Sequence, residues 1–354
     1  MRSFCDVTRA ELEALGSPGD AGVLLARLHR VTRWTDGEGG EAAPPLGKEA
    51  RAFVGRHLDL SLPRVVSHSP SEDGATKLLL ALADGATVET VHMPRAVKNP
   101  RVTLCISSQV GCAMGCRFCR TAEMGLVRNL TAAEMVGQVL AALRALGPDD
   151  AGRVSVVFMG MGEPLANVDA VLRAVAVLCE PSGLGLAASR ITVSTAGLVP
   201  GIEALGRASL RPGLALSVNA TTDEGRMRTM PLTKRHGLAE LRAALLAFPA
   251  RPHEKLMLEY VLLAGENDTD EDAHRLADFA SGYRHMINVI PWNAFAGAPF
   301  RAPTEERVQA FAAVLHARGC LVTVRRSRGQ DVAGACGQLA TDATRKRRLG
   351  LAPT

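Results

Sequence analysis

Three cysteines stand at Cys112, Cys116 and Cys119, separated by three residues and then two. Thiols at such spacing point to metal or catalytic chemistry, and three of them leave one corner of a four-cornered site without a protein ligand. A closed structural zinc site takes a fourth Cys or His, and neither occurs in the ten residues after Cys119. An iron–sulfur cubane held by three thiolates instead keeps one iron free to bind a small molecule. The plainer readings are three reduced thiols in a loop, or a zinc knuckle completed from elsewhere in the chain.

Further candidates follow apolar runs. Met159-Gly160-Met161-Gly162-Glu163-Pro164 places glycines where a ligand can approach the backbone and a carboxylate where a cationic amine can be bound. Ser194-Thr195-Ala196-Gly197, Ser217-Val218-Asn219 and Trp292-Asn293 each end a predicted strand. Singly these are caps and turns. Repeated on one rim they mark a site, because parallel barrels carry their chemistry on loops after the strands' C-terminal ends. Cys105 and Cys336 lie outside the triplet, and each taken alone reads as a small buried residue. Cys5, Cys179 and Cys320 fall in no motif and are assigned structural roles.

The elements that must position these residues alternate between strand and helix from Arg101 onward, the pattern of a parallel α/β fold. The strands are expected at Val102–Ser107, Val154–Met159, Arg190–Ser194, Leu214–Asn219, Leu256–Leu263, Ile287–Ile290 and Leu321–Arg325. Helices are expected at Ala132–Ala145, Val168–Cys179, Leu238–Phe248, Asp270–Gly282 and Thr304–Arg318, with Thr131-Ala-Ala-Glu134 as a capping box. Six repeating units and a closing strand fit a partial barrel better than a flat doubly wound sheet, which stays open as the alternative.

Residues 1 to about 34 carry a helical leucine stripe, Gly37–Pro45 reads as a loop, and Lys48–Leu58 as a short helix. Lys77–Leu82 and Thr87–Met93 flank Asp84-Gly85 and form a predicted hairpin. The chain divides into an accessory domain at 1–95, a core at 96–340 and a basic tail at 341–354.

With 354 residues, nearly half of them apolar, the chain has enough material for a large core. Eight cysteines without the density of a secreted scaffold indicate a reducing compartment. The N-terminus lacks the apolar segment of a secretory signal, and no apolar run reaches the length of a membrane span. The expectation is a soluble cytoplasmic protein with no membrane association. A net charge of +5 is compatible with a nucleic-acid partner. Arg325, Arg326 and Arg328, and the run Arg345-Lys-Arg-Arg348, are either solvated surface or phosphate contacts.

The triplet resembles the signature of radical S-adenosyl-L-methionine (radical SAM) enzymes, whose open iron chelates the amino and carboxylate groups of that cofactor. The longer stretch from Leu104-Cys105-Ile-Ser-Ser-Gln109-Val-Gly-Cys112 to Arg128-Asn129-Leu130-Thr131 is similar to the RlmN/Cfr family of RNA adenosine methyltransferases, and the likeness runs from Leu78 to Ala340. Gly137-Gln138 and the Glu89 segment lean towards the RlmN branch.

The resemblance implies an open (β/α)6 barrel holding a 4Fe-4S cluster on Cys112, Cys116 and Cys119. SAM is expected at Gly162, Glu163, Ser194, Ser217, Val218, Asn219 and Asn293. The chain departs from many members at Asn219, where they have His, and at Ala196, where they have Ser. Asn can hydrogen-bond a ribose or carboxylate but cannot titrate.

The resemblance also implies a reason for two extra thiols. Ring carbons of adenine are poor nucleophiles, so a radical cofactor supplies the difficult step. One SAM methylates Cys336, in Gly334-Ala-Cys336-Gly337-Gln338, as its thiolate. A radical from a second SAM abstracts hydrogen from that methyl group, and the resulting methylene radical adds to the base. Cys105 then attacks the Cys336 sulfur, releasing product and leaving a disulfide that a reductant resets. Glu89, in Val88-Glu89-Thr90, occupies the position of the general base that removes the ring proton.

The expected reaction is methylation at C2 of adenosine in 23S rRNA, with tRNA as a further candidate substrate. A monomer served by an electron donor such as flavodoxin or ferredoxin is expected. The rivals are Cfr-type methylation at C8, a radical SAM enzyme with another substrate, and a zinc-stabilised RNA-binding protein without catalysis.

Overall fold

The computed structural model describes residues 1–31, 35–36, 42–95, 101–147 and 153–341. Most of the expected Gly37–Pro45 loop and the basic run Arg345–Arg348 lie outside the described residues.

One sheet organises the molecule. Its strands are β1 (Arg64–Pro70), β2 (Thr76–Ala81), β3 (Thr87–Arg95), β4 (Arg101–Cys105), β5 (Val154–Phe158), β6 (Ile191–Thr195), β7 (Gly213–Ser217), β8 (Leu256–Leu262), β9 (His285–Pro291) and β10 (Val322–Val324). They lie side by side in chain order, so the sheet runs unbroken from β1 to β10. β4 to β10 are mutually parallel, while β1 to β4 pair antiparallel.

Strictly sequential order separates the two architectures left open by the sequence. A doubly wound sheet reverses its strand order at a switch point. Here no reversal occurs, so right-handed crossovers stack every connecting helix on the same face and curl the sheet around the other. Among the described residues β1 and β10 are not paired with each other, and the result is a partial barrel, open at one side.

The helices are α1 (Arg9–Ala14), α2 (Ala21–His29), α3 (Lys48–His57), α4 (Arg120–Glu123), α5 (Ala132–Leu146), α6 (Val168–Cys179), α7 (Val199–Arg207), α8 (Asp223–Thr229), α9 (Leu238–Ala247), α10 (Asp270–Ala280) and α11 (Glu305–Ala317). The expected capping box opens α5: Thr131 Oγ1 accepts from Glu134 N at 3.2 Å, and Glu134 Oε2 accepts from Thr131 N at 2.8 Å. The hairpin also forms as expected, with Gly85 at φ 82°.

β8 shows how a barrel strand divides its side chains. Leu256, Leu258, Tyr260 and Leu262 are buried in the core, whereas Met257 and Glu259 line the barrel interior.

Several features depart from the expectations, among them helix α7, which was not expected. The N-terminal helical region is two helices, because Gly16 at φ 74° and Gly19 at φ 68° break the chain between them. Strand β1 was not anticipated. Its sequence is half polar and ends in Pro70, which an edge strand tolerates. The short polar helix α8 presents no apolar stripe to read. No helix among the described residues is long and apolar enough to cross a membrane.

Arg173 of α6 ties the N-terminus to the barrel, reaching Asp6 at 2.6 Å and Glu11 at 2.7 Å. Burial pushes the Glu11 carboxyl upward, but Arg173, Arg2 and the Thr8 groups outweigh it and hold it at about 2, below its ordinary 4.5. A carboxylate depressed on folding adds stability above its unfolded value and loses that contribution as pH falls through the folded value. Glu11→Gln is therefore expected to be the less stable protein at neutral pH. Denaturant titrations should show the gap closing between pH 4.5 and 2. A gap that widens in that window counts against the tie. The side chain is partly exposed, so solvent screening keeps the effect modest.

Candidate functional site

The cysteine loop grows out of a short antiparallel ribbon in which Gln109–Gly111 pairs with Leu126–Asn129. Gly111 has φ 78°, and a Cβ there would lie 1.8 Å from the Gly125 carbonyl oxygen, so no other residue fits. Cys112 N then donates to that same oxygen at 3.0 Å. The loop is stapled at three further points: Arg117 N donates to Thr229 O at 2.9 Å, Cys119 N to Cys116 O at 3.1 Å, and Trp292 Nε1 to Phe118 O at 3.0 Å. Phe118 inserts beside Met230, Leu232, Leu263 and Trp292 in a small apolar cluster of its own.

Above the strands' C-terminal ends lies a cavity lined by Cys112, Cys116, Cys119, Gly162, Glu163, Ser194, Ser217, Asn219, Asn293 and Cys336. Nearly all candidates named from sequence thus share one space. Three do not line it. Val218 is buried in the main core. Cys105 lies deeper in the barrel, where it lines the interior together with Cys336 and Arg325. Glu89 is buried outside both linings.

Burial drives the three clustered thiols upward, Cys112 to about 12, and the neighbouring thiols add to the effect at Cys116. Three such groups need cationic charge to become thiolates together. Among the described residues, no three Cys, His, Asp or Glu side chains converge closely enough to hold a single metal ion. A cubane binds each thiolate through a different iron, and three thiols lining one cavity fit that demand.

Gly162 has φ 106°, and a Cβ there would lie 2.6 Å from Gln109 Cβ. Gln109 Oε1 accepts from Glu163 N at 2.8 Å and fixes that turn. Glu163 Oε1 accepts from Leu165 N at 3.0 Å and Oε2 from Ala196 N at 2.7 Å, which braces the β5 loop against the β6 loop. Burial raises this carboxyl against the pull of those hydrogen bonds. With the Thr195 side chain as a third partner, the carboxylate still keeps lone-pair capacity for a cationic amine.

Asn219 sits at φ 54°, a conformation that Asn tolerates better than most residues. Its Oδ1 accepts from Val261 N at 2.8 Å, which leaves the Nδ2 donor 3.3 Å from Met230 Sδ. Asn293 pins the Cys336 segment: its Nδ2 donates to Cys336 O at 3.0 Å and to Ser327 Oγ at 2.9 Å.

The Cys336 segment crosses directly behind the cysteine loop. Gly337 O accepts from Arg120 N at 2.7 Å, and Leu339 O from Thr121 Oγ1 at 2.6 Å. Glu89 joins the same segment through Oε2, which accepts from Ala340 N at 2.9 Å, while its Oε1 lies 2.9 Å from Lys77 Nζ. Burial raises the Glu89 carboxyl and Lys77 opposes the rise. Burial also drives the Cys105 thiol to about 12, with charge on Cys336 adding to it. Cys105 and Cys336 are both free thiols.

Several residues at the site were not anticipated. Arg325, read as part of a surface basic cluster, turns inward: Nη2 lies 3.9 Å from Cys336 Sγ and Nη1 3.5 Å from Glu259. Arg326 pairs with Glu305 at 2.6 Å and Arg328 with Asp73 at 3.6 Å, so all three arginines have partners within the chain. One signal was available, a lone carboxylate at Glu259 amid the apolar run Leu256–Leu262, since strands buried on both faces are otherwise nearly all apolar.

The model of the radical SAM superfamily matches residues 106–279. A protein of Syntrophotalea carbinolica named dual-specificity RNA methyltransferase RlmN is 45% identical, over 84% of this chain and 78% of its own length. One of the same name from Dinoroseobacter shibae is 40% identical over 99% of this chain and 93% of its own. Among solved structures, a radical SAM methyltransferase from Sphaerobacter thermophilus is similar with a TM-score of 0.86 at 40% identity, covering 96% of this chain and 99% of that one.

Proposed function

Since the chain belongs to the RlmN family of dual-specificity RNA methyltransferases, we propose that it methylates C2 of adenosine in 23S rRNA, and tRNA as a second substrate, through an S-methylcysteine. The observation that carries this reading is the shared cavity, lined by the three cysteines and Cys336, with Cys105 and Cys336 both lining the barrel interior beneath.

Cys112, Cys116 and Cys119 hold a 4Fe-4S cluster, and Gly162, Glu163, Ser194, Ser217, Val218, Asn219 and Asn293 bind SAM. When bound, the two groups supply the methyl group and the radical that an unreactive ring carbon requires. The protein's own part is positional. Glu163 offers carboxylate lone pairs to the amino group, and Asn219 offers an N–H to ribose or carboxylate. Val218 contributes only through the second lone pair of its carbonyl, since its side chain is packed in the core and its N–H donates to Glu259 O.

Cys336 receives the methyl group on Sγ and presents it to the base from a segment fixed at both Asn293 and Arg120. Glu89 accepts the ring proton, and its burial, which favours the protonated form, supports that role. Cys105, as its thiolate, attacks the Cys336 sulfur; a disulfide forms as the carbon–sulfur bond breaks, the bonding pair stays on the departing methylene carbon, that carbon takes up a proton to become the methyl group, and the methylated base leaves. Electrons enter from a donor such as flavodoxin or ferredoxin. The enzyme acts as a cytoplasmic monomer, with residues 1–95 docking RNA on the core at 96–340 and the basic tail at 341–354 assisting.

Nucleoside mass spectrometry on RNA from cells with and without the gene tests the reaction. Loss of 2-methyladenosine is expected on deletion. Unchanged 2-methyladenosine, or loss of 8-methyladenosine instead, rejects the C2 assignment. The thiol pair has a separate test. Cys105→Ala is expected to stop after at most about one event per protein, with RNA left joined to Cys336 and visible on a denaturing gel. Free turnover by that variant would remove Cys105 from the mechanism.

A further inference from the structure

Among the described residues, the largest side chain wholly out of contact with solvent is Arg226, in α8. Its Nε donates to Val218 O at 3.0 Å, its Nη1 to Thr233 Oγ1 at 2.9 Å, and its Nη2 to Ser217 O at 3.2 Å and to Ala196 O. All four acceptors are neutral. Among the described residues, no carboxylate forms an ion pair with it. Hydrogen bonds satisfy the donors, but the charge stays uncompensated, and a buried unpaired charge is among the costliest features a fold can carry.

Its position shows what compensates it. The carbonyls it clasps, of Ala196, Ser217 and Val218, belong to the ends of β6 and β7, and Ala196 and Ser217 line the cavity with the three cysteines. Met230, whose N–H donates to Arg226 O at 2.6 Å, shares an apolar cluster with Ala196 against which Cys116 packs. Burial lowers the guanidinium to about 10, and the negative groups acting against that are Cys116 and Asp223. Asp223 is exposed, and its Oδ1 accepts from Leu238 N at 2.8 Å. Of the two, Cys116 is the one that lines the cavity together with Ala196 and Ser217, whose carbonyls Arg226 holds.

We propose that Arg226 is a fixed counter-cation for the iron–sulfur cluster and raises its reduction potential. The inference rests on the cluster reading above. A cluster on three thiolates carries net negative charge and gains more on reduction. A cation held nearby in low dielectric therefore favours the reduced state. Four of its five N–H groups are committed to neutral acceptors, so Arg226 acts on the cluster through its field and not as a ligand.

The test is redox titration of the reconstituted full-length protein without SAM or RNA, followed by electron paramagnetic resonance, with iron and sulfide measured on each sample. Arg226→Gln removes the charge and keeps hydrogen-bonding groups. Its ratio of reduced to oxidised cluster at a fixed poise is expected to fall roughly tenfold, about 59 mV for a one-electron couple. Arg226→Lys, which keeps the charge, is expected to stay near the parent. A loaded Arg226→Gln protein with the parent's ratio overturns the proposal, and so does an Arg226→Lys protein that falls as far as Arg226→Gln. Should Arg226→Gln take up no cluster, Thr233→Asp decides, since it sets a carboxylate against Nη1 and should shift the ratio in the same direction. A parent protein that takes up zinc or no iron overturns the cluster reading itself and is distinguishable by metal analysis alone.

Discussion

Replacing Cys336 with alanine is expected to end RNA methylation, with a fall in rate of roughly 10³-fold or more, because the residue that carries the transferred carbon has no substitute in the cavity. The change leaves the segment's ties intact, since Asn293 binds the Cys336 carbonyl and Arg120 the Gly337 carbonyl, neither of which involves the thiol. Folding and iron content should therefore match the parent. The measurement is 2-methyladenosine formed on RNA in vitro, together with mass spectrometry of the peptide bearing residue 336, which in the parent gains one methyl group. Methylation by Cys336→Ala at more than a small fraction of the parent rate would show that the carbon never passes through this sulfur.

The second large effect is on the metal centre. Cys116→Ala leaves two thiols to hold a cluster, and anaerobic reconstitution is expected to yield protein with most of its iron and sulfide missing and no reductive cleavage of SAM. Cys5→Ala makes the informative contrast. Cys5 is fully buried, more so than Cys116, and packs in the main core far along the chain from the motif, so its loss should lower stability by about 1–2 kcal/mol through lost packing and leave iron content alone. Full iron and sulfide in Cys116→Ala, or an equal loss of iron in Cys5→Ala, would sink the assignment of the triplet.

The triplet was visible in the sequence for a local reason, whereas Cys336 was singled out only by the resemblance to the RlmN/Cfr family. Cys112, Cys116 and Cys119 fall within eight consecutive positions, so their spacing survives whatever the rest of the chain does. Gly162-Glu163 directly follows an apolar strand and was found for the same reason. Arg325 was misread because a run of three arginines resembles solvated surface. Its burial depends on Glu259, from a different strand, 66 positions earlier in the chain. Arg226 left no mark at all, since its partners Ala196, Ser217 and Val218 sit on strand ends that only strand order brings together.

Local periodicity and spacing by themselves determined the seven parallel strands and the cysteine loop, because side-chain alternation and short-range spacing are properties of neighbouring residues. Tertiary structure alone decided that the sheet curls into an open barrel, that Cys105 lies beside Cys336, that Glu89 meets Lys77, and that a bare cation is buried behind Cys116. Each of those depends on which strands lie next to one another and in what register, and pairings between distant segments leave no periodic trace along a single chain.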